Sequence, residues 1–158
     1  LVPEIKEEGY IGFHGIGGGG AMLAADALLR RGFKLANYAD TSGDPPASKV
    51  YRVIKTILSQ PKIEAYVLMG SIIASQEQWH HGHAIVKALT EDLKNRPGFP
   101  VLILIAGNKE KETHKIINEG LKDLPIQLEL YGRDYVYQTE FIADRVEDMV
   151  KKYRRLMG

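Results

Sequence analysis

Residues 10–31 read Tyr-Ile-Gly-Phe-His-Gly-Ile-Gly-Gly-Gly-Gly-Ala-Met-Leu-Ala-Ala-Asp-Ala-Leu-Leu-Arg-Arg. The short apolar run over residues 10–13 predicts a strand, and the glycines that follow make a loop with almost no side chains. Residues 21–31 then predict a helix that is apolar on nearly every side and so suited to lie flat on a sheet. Such a loop exposes backbone N–H groups beside the positive end of a helix dipole, which suits a phosphate or carboxylate.

The same alternation recurs along the chain. Gly32 is a natural stop for the first helix, and residues 33–38 predict strand two. Asp44 is the expected N-cap of helix two, with Pro45 at its first helical position; Val50, Val53, Ile54, Ile57 and Leu58 keep helical spacing until Pro61. Residues 64–69 predict a buried parallel strand that gives way at Gly70 to a second glycine-opened helix start, Gly70-Ser71-Ile72-Ile73. Ser75 and Gln78 form a candidate capping box ahead of a helix that presents Trp79, Val86, Leu89 and Leu93. Residues 101–105, Val-Leu-Ile-Leu-Ile, predict strand four, and residues 109–119 a helix closing at Gly120. Residues 127–130 predict strand five, and residues 139–156 a long amphipathic helix with Ile142, Val146, Met149, Val150 and Tyr153 on one face.

Five strands alternating with five helices predict an α/β fold, a flavodoxin-like doubly wound five-stranded parallel sheet in the order 2-1-3-4-5. Its ligand crevice should lie at the carboxyl ends of strands one and three, where the order reverses. The loops at residues 14–20 and 70–75 would meet there.

A chain of 158 residues is one domain. Lys and Arg number 21 and Asp and Glu 20, so nothing argues for nucleic acid or an anionic membrane as partner. There is no cysteine, which excludes disulfide and thiolate chemistry and fits a reducing, cytoplasmic setting. No apolar run reaches the roughly 18 residues of a membrane span. Residues 1–8, containing Pro3-Glu4-Ile5-Lys6-Glu7-Glu8, read as a linker ahead of a domain over residues 9–158, and the expectation is a piece of a longer polypeptide.

Gly15-Ile16-Gly17-Gly18-Gly19-Gly20 satisfies G-x-G-x-x-G between a strand and a helix, with Asp40 twenty residues further on. That pattern allows a dinucleotide, with the acid on a ribose hydroxyl, although four consecutive glycines satisfy many patterns and also serve tight turns and close helix packing. No Lys or Arg accompanies either loop, so an anion there would depend on backbone N–H groups, dipoles and Ser71. His14 ends strand one at the mouth of the predicted crevice, placed to hydrogen-bond a ligand. His80, His81 and His83 cluster beside Trp79 without a Cys or carboxylate partner, so a partly exposed helix face is expected there and no metal. His114 reads as a surface residue, and Glu110, Lys111, Glu112 and Lys115 as a solvated, salt-laced helix face.

Several of these segments resemble the carboxy-terminal, flavodoxin-like domain of the succinyl-CoA synthetase beta subunit, and more broadly the nucleoside-diphosphate-forming acyl-CoA synthetases. His14-Gly15-Ile16-Gly17 is similar to that family's Asn-Gly-Ala-Gly, with two extra glycines. Ala36-Asn37-Tyr38-Ala39-Asp40 is similar to its Ala-Asn-Phe-Leu-Asp. Residues 54–63 resemble its Lys-Ile-Ile-Leu-Ser-Asp-Pro-Lys-Val segment, and residues 100–107 follow its Pro-Val-Val-Val-Arg-Leu-Glu-Gly in outline. Gly70-Ser71-Ile72-Ile73 corresponds to its Gly-Gly-Ile-Val. The chain departs from the pattern at Ala74-Ser75-Gln76, where the family has Arg-Cys-Asp, and at Leu104 and Ala106, where it has Arg and Glu.

The resemblance implies a ligase domain of an ADP- or GDP-forming acyl-CoA synthetase, inert in isolation. ATP or GTP with magnesium would sit on an upstream ATP-grasp domain, and CoA on an alpha-type partner subunit carrying a phosphorylated His. A small carboxylic acid or phosphoryl group would be bound through His14, Gly15, Gly17, Gly70, Ser71, Ile72 and Ile73, with helix N-termini supplying the electrostatics and no acid–base residue. The competing expectations are a dinucleotide-binding oxidoreductase domain and a non-catalytic assembly or regulatory module of the same fold.

Overall fold

The computed structural model describes residues 10–17, 19–41, 44–74 and 78–158; the expected linker over residues 1–8 and the Ser75 cap lie outside them. Five strands form one parallel sheet: β1 (Tyr10–Ile16), β2 (Lys34–Thr41), β3 (Ile63–Ile73), β4 (Pro100–Gly107) and β5 (Gln127–Tyr131). Their order is β2-β1-β3-β4-β5, the flavodoxin-like order expected from the sequence. Between them run α1 (Gly19–Arg30), α2 (Ala47–Leu58), α3 (Gln78–Leu93) and α4 (Glu110–Leu121), and the chain closes with α5 (Thr139–Met157).

Side-chain alternation along the strands sorts the core into two layers. Ile16, Tyr66, Leu68, Val101, Ile103 and Ile105 pack with α2, α3 and α4 on one face. Ile11, Phe13, Val67, Met69, Leu102 and Leu104 pack with α1 and α5 on the other. Both faces of β4 are buried at every position from Pro100 to Ala106, which is why it reads as an unbroken apolar run.

Two boundaries differ from the sequence reading. α2 begins at Ala47 with Pro46 in an extended conformation before it, two residues later than expected. Pro45 cannot open the helix, because a residue preceding proline is pushed out of the helical region. The larger correction concerns Gly70-Ser71-Ile72-Ile73: these residues do not start a helix but prolong β3 by one more turn of the pleat, and α3 starts at Gln78. The extension is held by β4. Ile73 stands opposite Gly107 across a register shift, and its carbonyl accepts the Asn108 N–H at 3.2 Å. Gly107, at φ 129°, makes that approach possible, since a Cβ there would fall 2.3 Å from the Ile73 carbonyl oxygen.

Candidate functional site

The carboxyl end of β3 meets the start of α1, which follows β1. The first N–H groups of a helix have no partner within it and carry the positive end of its dipole. Ser71 comes up from β3 against this first turn: a Cβ on Gly20 would lie 2.3 Å from Ser71 Oγ and 3.0 Å from Ser71 Cβ. Val136, just after the 3-10 turn Arg133–Tyr135, closes a third side at 3.6 Å from the same point. Ser71 is only 4% exposed, and its Oγ has no hydrogen-bond partner. Leaving a buried hydroxyl unpartnered costs about 1–3 kcal/mol. The site therefore combines an oriented helix terminus, a glycine that lets Ser71 approach it, and an unused hydroxyl.

The other expected residues are distributed around it differently. Gly15 lies beneath α1, where a Cβ would meet Ala21 Cβ at 2.9 Å and the Asp40 carboxyl at 3.4 Å. Gly17 turns the chain at φ 88°, and its N–H donates to the Thr41 carbonyl at 3.2 Å. That N–H is committed to closing the β1–β2 ladder. Gly70 is buried against the Ile73 side chain, and Ile73 itself belongs to the core beneath α2–α4. Ile72 sits between them in the β3 extension.

His14 faces away from Ser71. Phe13 points to the α1 layer, so the neighbouring His14 points to the α2 layer, where its Nδ1 pairs with Tyr66 Oη at 2.8 Å. The imidazole is fully buried, its Nε2 lacks a partner, and burial lowers its pKa from 6.5 to about 4. It is a neutral ring at pH 7. Burial likewise pushes the Tyr66 hydroxyl well above its ordinary range. The sequence thus brings Gly20 and Ser71 together at one site and places the His14 side chain on the opposite face of the sheet.

The histidines of α3 do not act as a group. His80 lies against Trp79 with ring centroids 3.6 Å apart and the rings tilted by 33°, and His83 is exposed. His81 is buried and donates from Nε2 to the Pro45 carbonyl at 2.7 Å, so it ties α3 to the approach of α2 rather than lying on an exposed face. No group of three or more His, Asp or Glu among the described residues is placed to hold a metal ion. Gln78, unremarked in the sequence beyond its capping spacing, is fully buried at the head of α3; its Nε2 donates to the Ala106 carbonyl at 3.4 Å while its Oε1 has no partner. His114 is half-buried rather than on the surface, with Nε2 donating to the Ile105 carbonyl at 2.9 Å.

A family model described as ATP citrate lyase citrate-binding matches residues 2–146. The beta subunit of the ADP-forming succinate–CoA ligase of Deinococcus radiodurans is 31% identical over 120 residues, which cover 75% of this chain and 30% of that protein. The GDP-forming counterpart from Thermus thermophilus is 31% identical over 115 residues, 72% of this chain and 29% of that protein. The human mitochondrial GDP-forming beta subunit is 31% identical over 126 residues, 74% of this chain and 27% of that protein. The chain thus spans about three tenths of the length of the curated relatives it matches. Among solved structures, the ATP citrate lyase of Methanosaeta concilii in complex with (3S)-citryl-CoA superposes with a TM-score of 0.71 at 22% identity, covering 82% of this chain and 35% of that one. That likeness concerns the fold.

Proposed function

The chain belongs to the ATP citrate lyase citrate-binding family, and on that premise we propose that it forms the acid-binding part of an ADP- or GDP-forming acyl-CoA ligase. Its acyl-CoA-ligase type rests on the succinate–CoA ligase relatives. The finer reading is that a short carboxylic acid with two or three carboxylates, of the succinate or citrate kind, places one carboxylate, or a phosphoryl group in transfer, at the start of α1. The observation that carries it is the Ser71 hydroxyl, buried and unpartnered against the first turn of α1. In this reading the backbone N–H groups of Gly19 and Gly20 and the Ser71 hydroxyl donate to the anion, and the α1 dipole favours its charge. Gly15 and Gly17 shape the loop, Gly70, Ile72 and Ile73 carry Ser71 to its place, and His14 supports β1 from beneath as a neutral ring. No residue here takes or gives a proton. ATP or GTP with magnesium would be held by an ATP-grasp domain, and CoA and the phosphorylated His by an alpha-type subunit, so the transfer itself would need both.

A non-catalytic module of the same fold is the second reading, and one observation favours it. Leu104 and Ala106 bury hydrocarbon in the α1 layer where the resembling family carries Arg and Glu. An amide chemical-shift titration with citrate, succinate, phosphate and NAD decides among the readings. Saturable shifts at Gly19, Gly20 and Ser71 with citrate, succinate or phosphate are expected, weakened in Ser71→Ala while that variant melts no lower than the parent. Silence at those amides towards all three anions would favour the non-catalytic module. Saturation by NAD around Asp40 would replace both with the dinucleotide reading.

A further inference from the structure

β2 is an edge strand, with β1 as its one neighbour among the described residues. An edge strand presents alternate backbone N–H and C=O groups that a further strand can pair. Along this edge, between β2 and α2, runs a groove of about 500 Å3 bounded by residues 37–39 on the strand and by Lys49, Arg52, Val53 and Thr56 on the helix. The helix residues recur at three- and four-residue spacing and so form one stripe. From Lys49 to Ser59 that wall runs about 15 Å at helical rise, room for about four or five residues of extended chain.

The chemistry of the groove is graded along its length. Ala39, Val53 and Ile57 supply aliphatic wall in the middle. Lys49 and Arg52 are exposed at one end, and neither meets a carboxylate among the described residues. Lys55, on another side of the same helix, shows the contrast: it is bound to Glu91 at 3.1 Å and Asp92 at 2.6 Å. The two cations of the groove are thus left without the partners that α3 gives Lys55.

We propose that this groove docks an extended acidic peptide segment of a partner polypeptide, which adds a strand to β2 and sets its carboxylates against Lys49 and Arg52. Alternate side chains of the segment seat against Val53 and Ile57. Charge selects this occupant over a second copy of the chain: pairing two β2 edges about a two-fold would line four cations, Lys49 and Arg52 from each copy, along the α2 side of one seam, while Asp40 of each strand lies on the α1 side. The proposal stands independently of the anion site at α1, which lies on the other face of the sheet.

Fluorescence anisotropy tests it, using a labelled hexapeptide of alternating glutamate and valine and a lysine–valine counterpart as probes of the full chain. The acidic probe should saturate and the basic one should not. A Lys49→Glu, Arg52→Glu double variant should bind the acidic probe about tenfold more weakly while keeping its melting temperature, and the amide shifts caused by the probe should fall on residues 37–41 and on α2. The proposal is overturned by failure of the acidic probe to saturate, by equal affinity in the double variant, or by shifts centred elsewhere, such as Lys109 and Arg133. It is equally overturned if AMP displaces the probe competitively, which marks a small-molecule pocket, or if probe binding disappears as the chain dimerises, which marks a self-interface.

Discussion

Folding strips His14 of solvent and lowers its imidazole pKa from 6.5 to about 4. Between those values the unfolded chain binds a proton that the folded chain refuses, so stability falls as pH is lowered through that window. The contribution is fully present above pH 6.5 and is lost by about pH 4, amounting to about 3 kcal/mol. Carboxylates titrate in part of the same range, so the measurement is a difference: urea midpoints of the parent and of His14→Gln from pH 7 to pH 4. The gap between the two should narrow steadily across the window, and a gap that stays constant would show that His14 carries its proton equally in both states. The same residue bears on the candidate site. Because the ring is neutral at pH 7 and faces the α2 layer, anion affinity at α1 should show no step in the histidine range. The sequence marks His14 as the end of a strand beside a glycine loop, and its position is legible there; which way it points is decided by one residue of pleat phase, fixed by Phe13 seeking the α1 core.

At the level of elements, the join between β1 and β2 depends on a side chain. The register skips at Ala36, with Ile11 opposite Leu35 and Gly12 opposite Asn37. The Asn37 amide then serves Phe13 on both sides: its Oδ1 accepts the Phe13 N–H at 3.2 Å and its Nδ2 donates to the Phe13 carbonyl at 2.7 Å, while Gln60 donates to the same Oδ1 at 2.8 Å. Asn37→Ala leaves two backbone groups of a buried residue without partners and should cost about 2–4 kcal/mol. Asn37→Asp should not restore the loss, because a carboxylate cannot donate to the carbonyl. Equilibrium denaturation of both variants measures this, and a cost below about 0.5 kcal/mol for Asn37→Ala would show the bulge to be self-supporting. The strands and helices themselves were readable because buried parallel strands are continuously apolar and the helices keep a 3.6-residue period. The reach of β3 was not, since Gly70-Ser71 carries the local marks of a helix start and only the distant Gly107 extends the strand. Glu110 is a similar case. Its local pattern is a solvated helix face, yet its carboxylate accepts the Gly107 N–H at 3.3 Å and the Arg133 Nε at 3.2 Å, tying the end of β4 to the turn after β5.

Across the whole molecule, α5 is the element that joins the two layers. Its residues Ile142, Ala143, Val146, Met149 and Val150 lie in the α1 layer, whereas Tyr153 belongs to the opposite cluster and sets its ring edge-on to Phe99 at 5.7 Å. The last turns of α5 thus reach the second core, so that one helix packs into both. The family match ends at residue 146, short of these turns. Removing residues 147–158 exposes what Met149, Val150 and Tyr153 cover, about 5–9 kcal/mol of apolar burial. That is as large as the whole stability of an ordinary domain, about 5–15 kcal/mol. The loss of the Arg31–Glu147 pair, partly exposed at 3.4 Å, adds little to this. A chain ending at residue 146 should therefore be unfolded or molten at 37 °C by circular dichroism, whereas one lacking only the exposed Leu156, Met157 and Gly158 should melt close to the parent. If the shorter chain melted cooperatively within a few degrees of the parent, each layer would have to be stable without the helix that spans them. The proposed anion site would then rest on α1, β1 and β3 alone, rather than on a single cooperative unit that α5 holds closed.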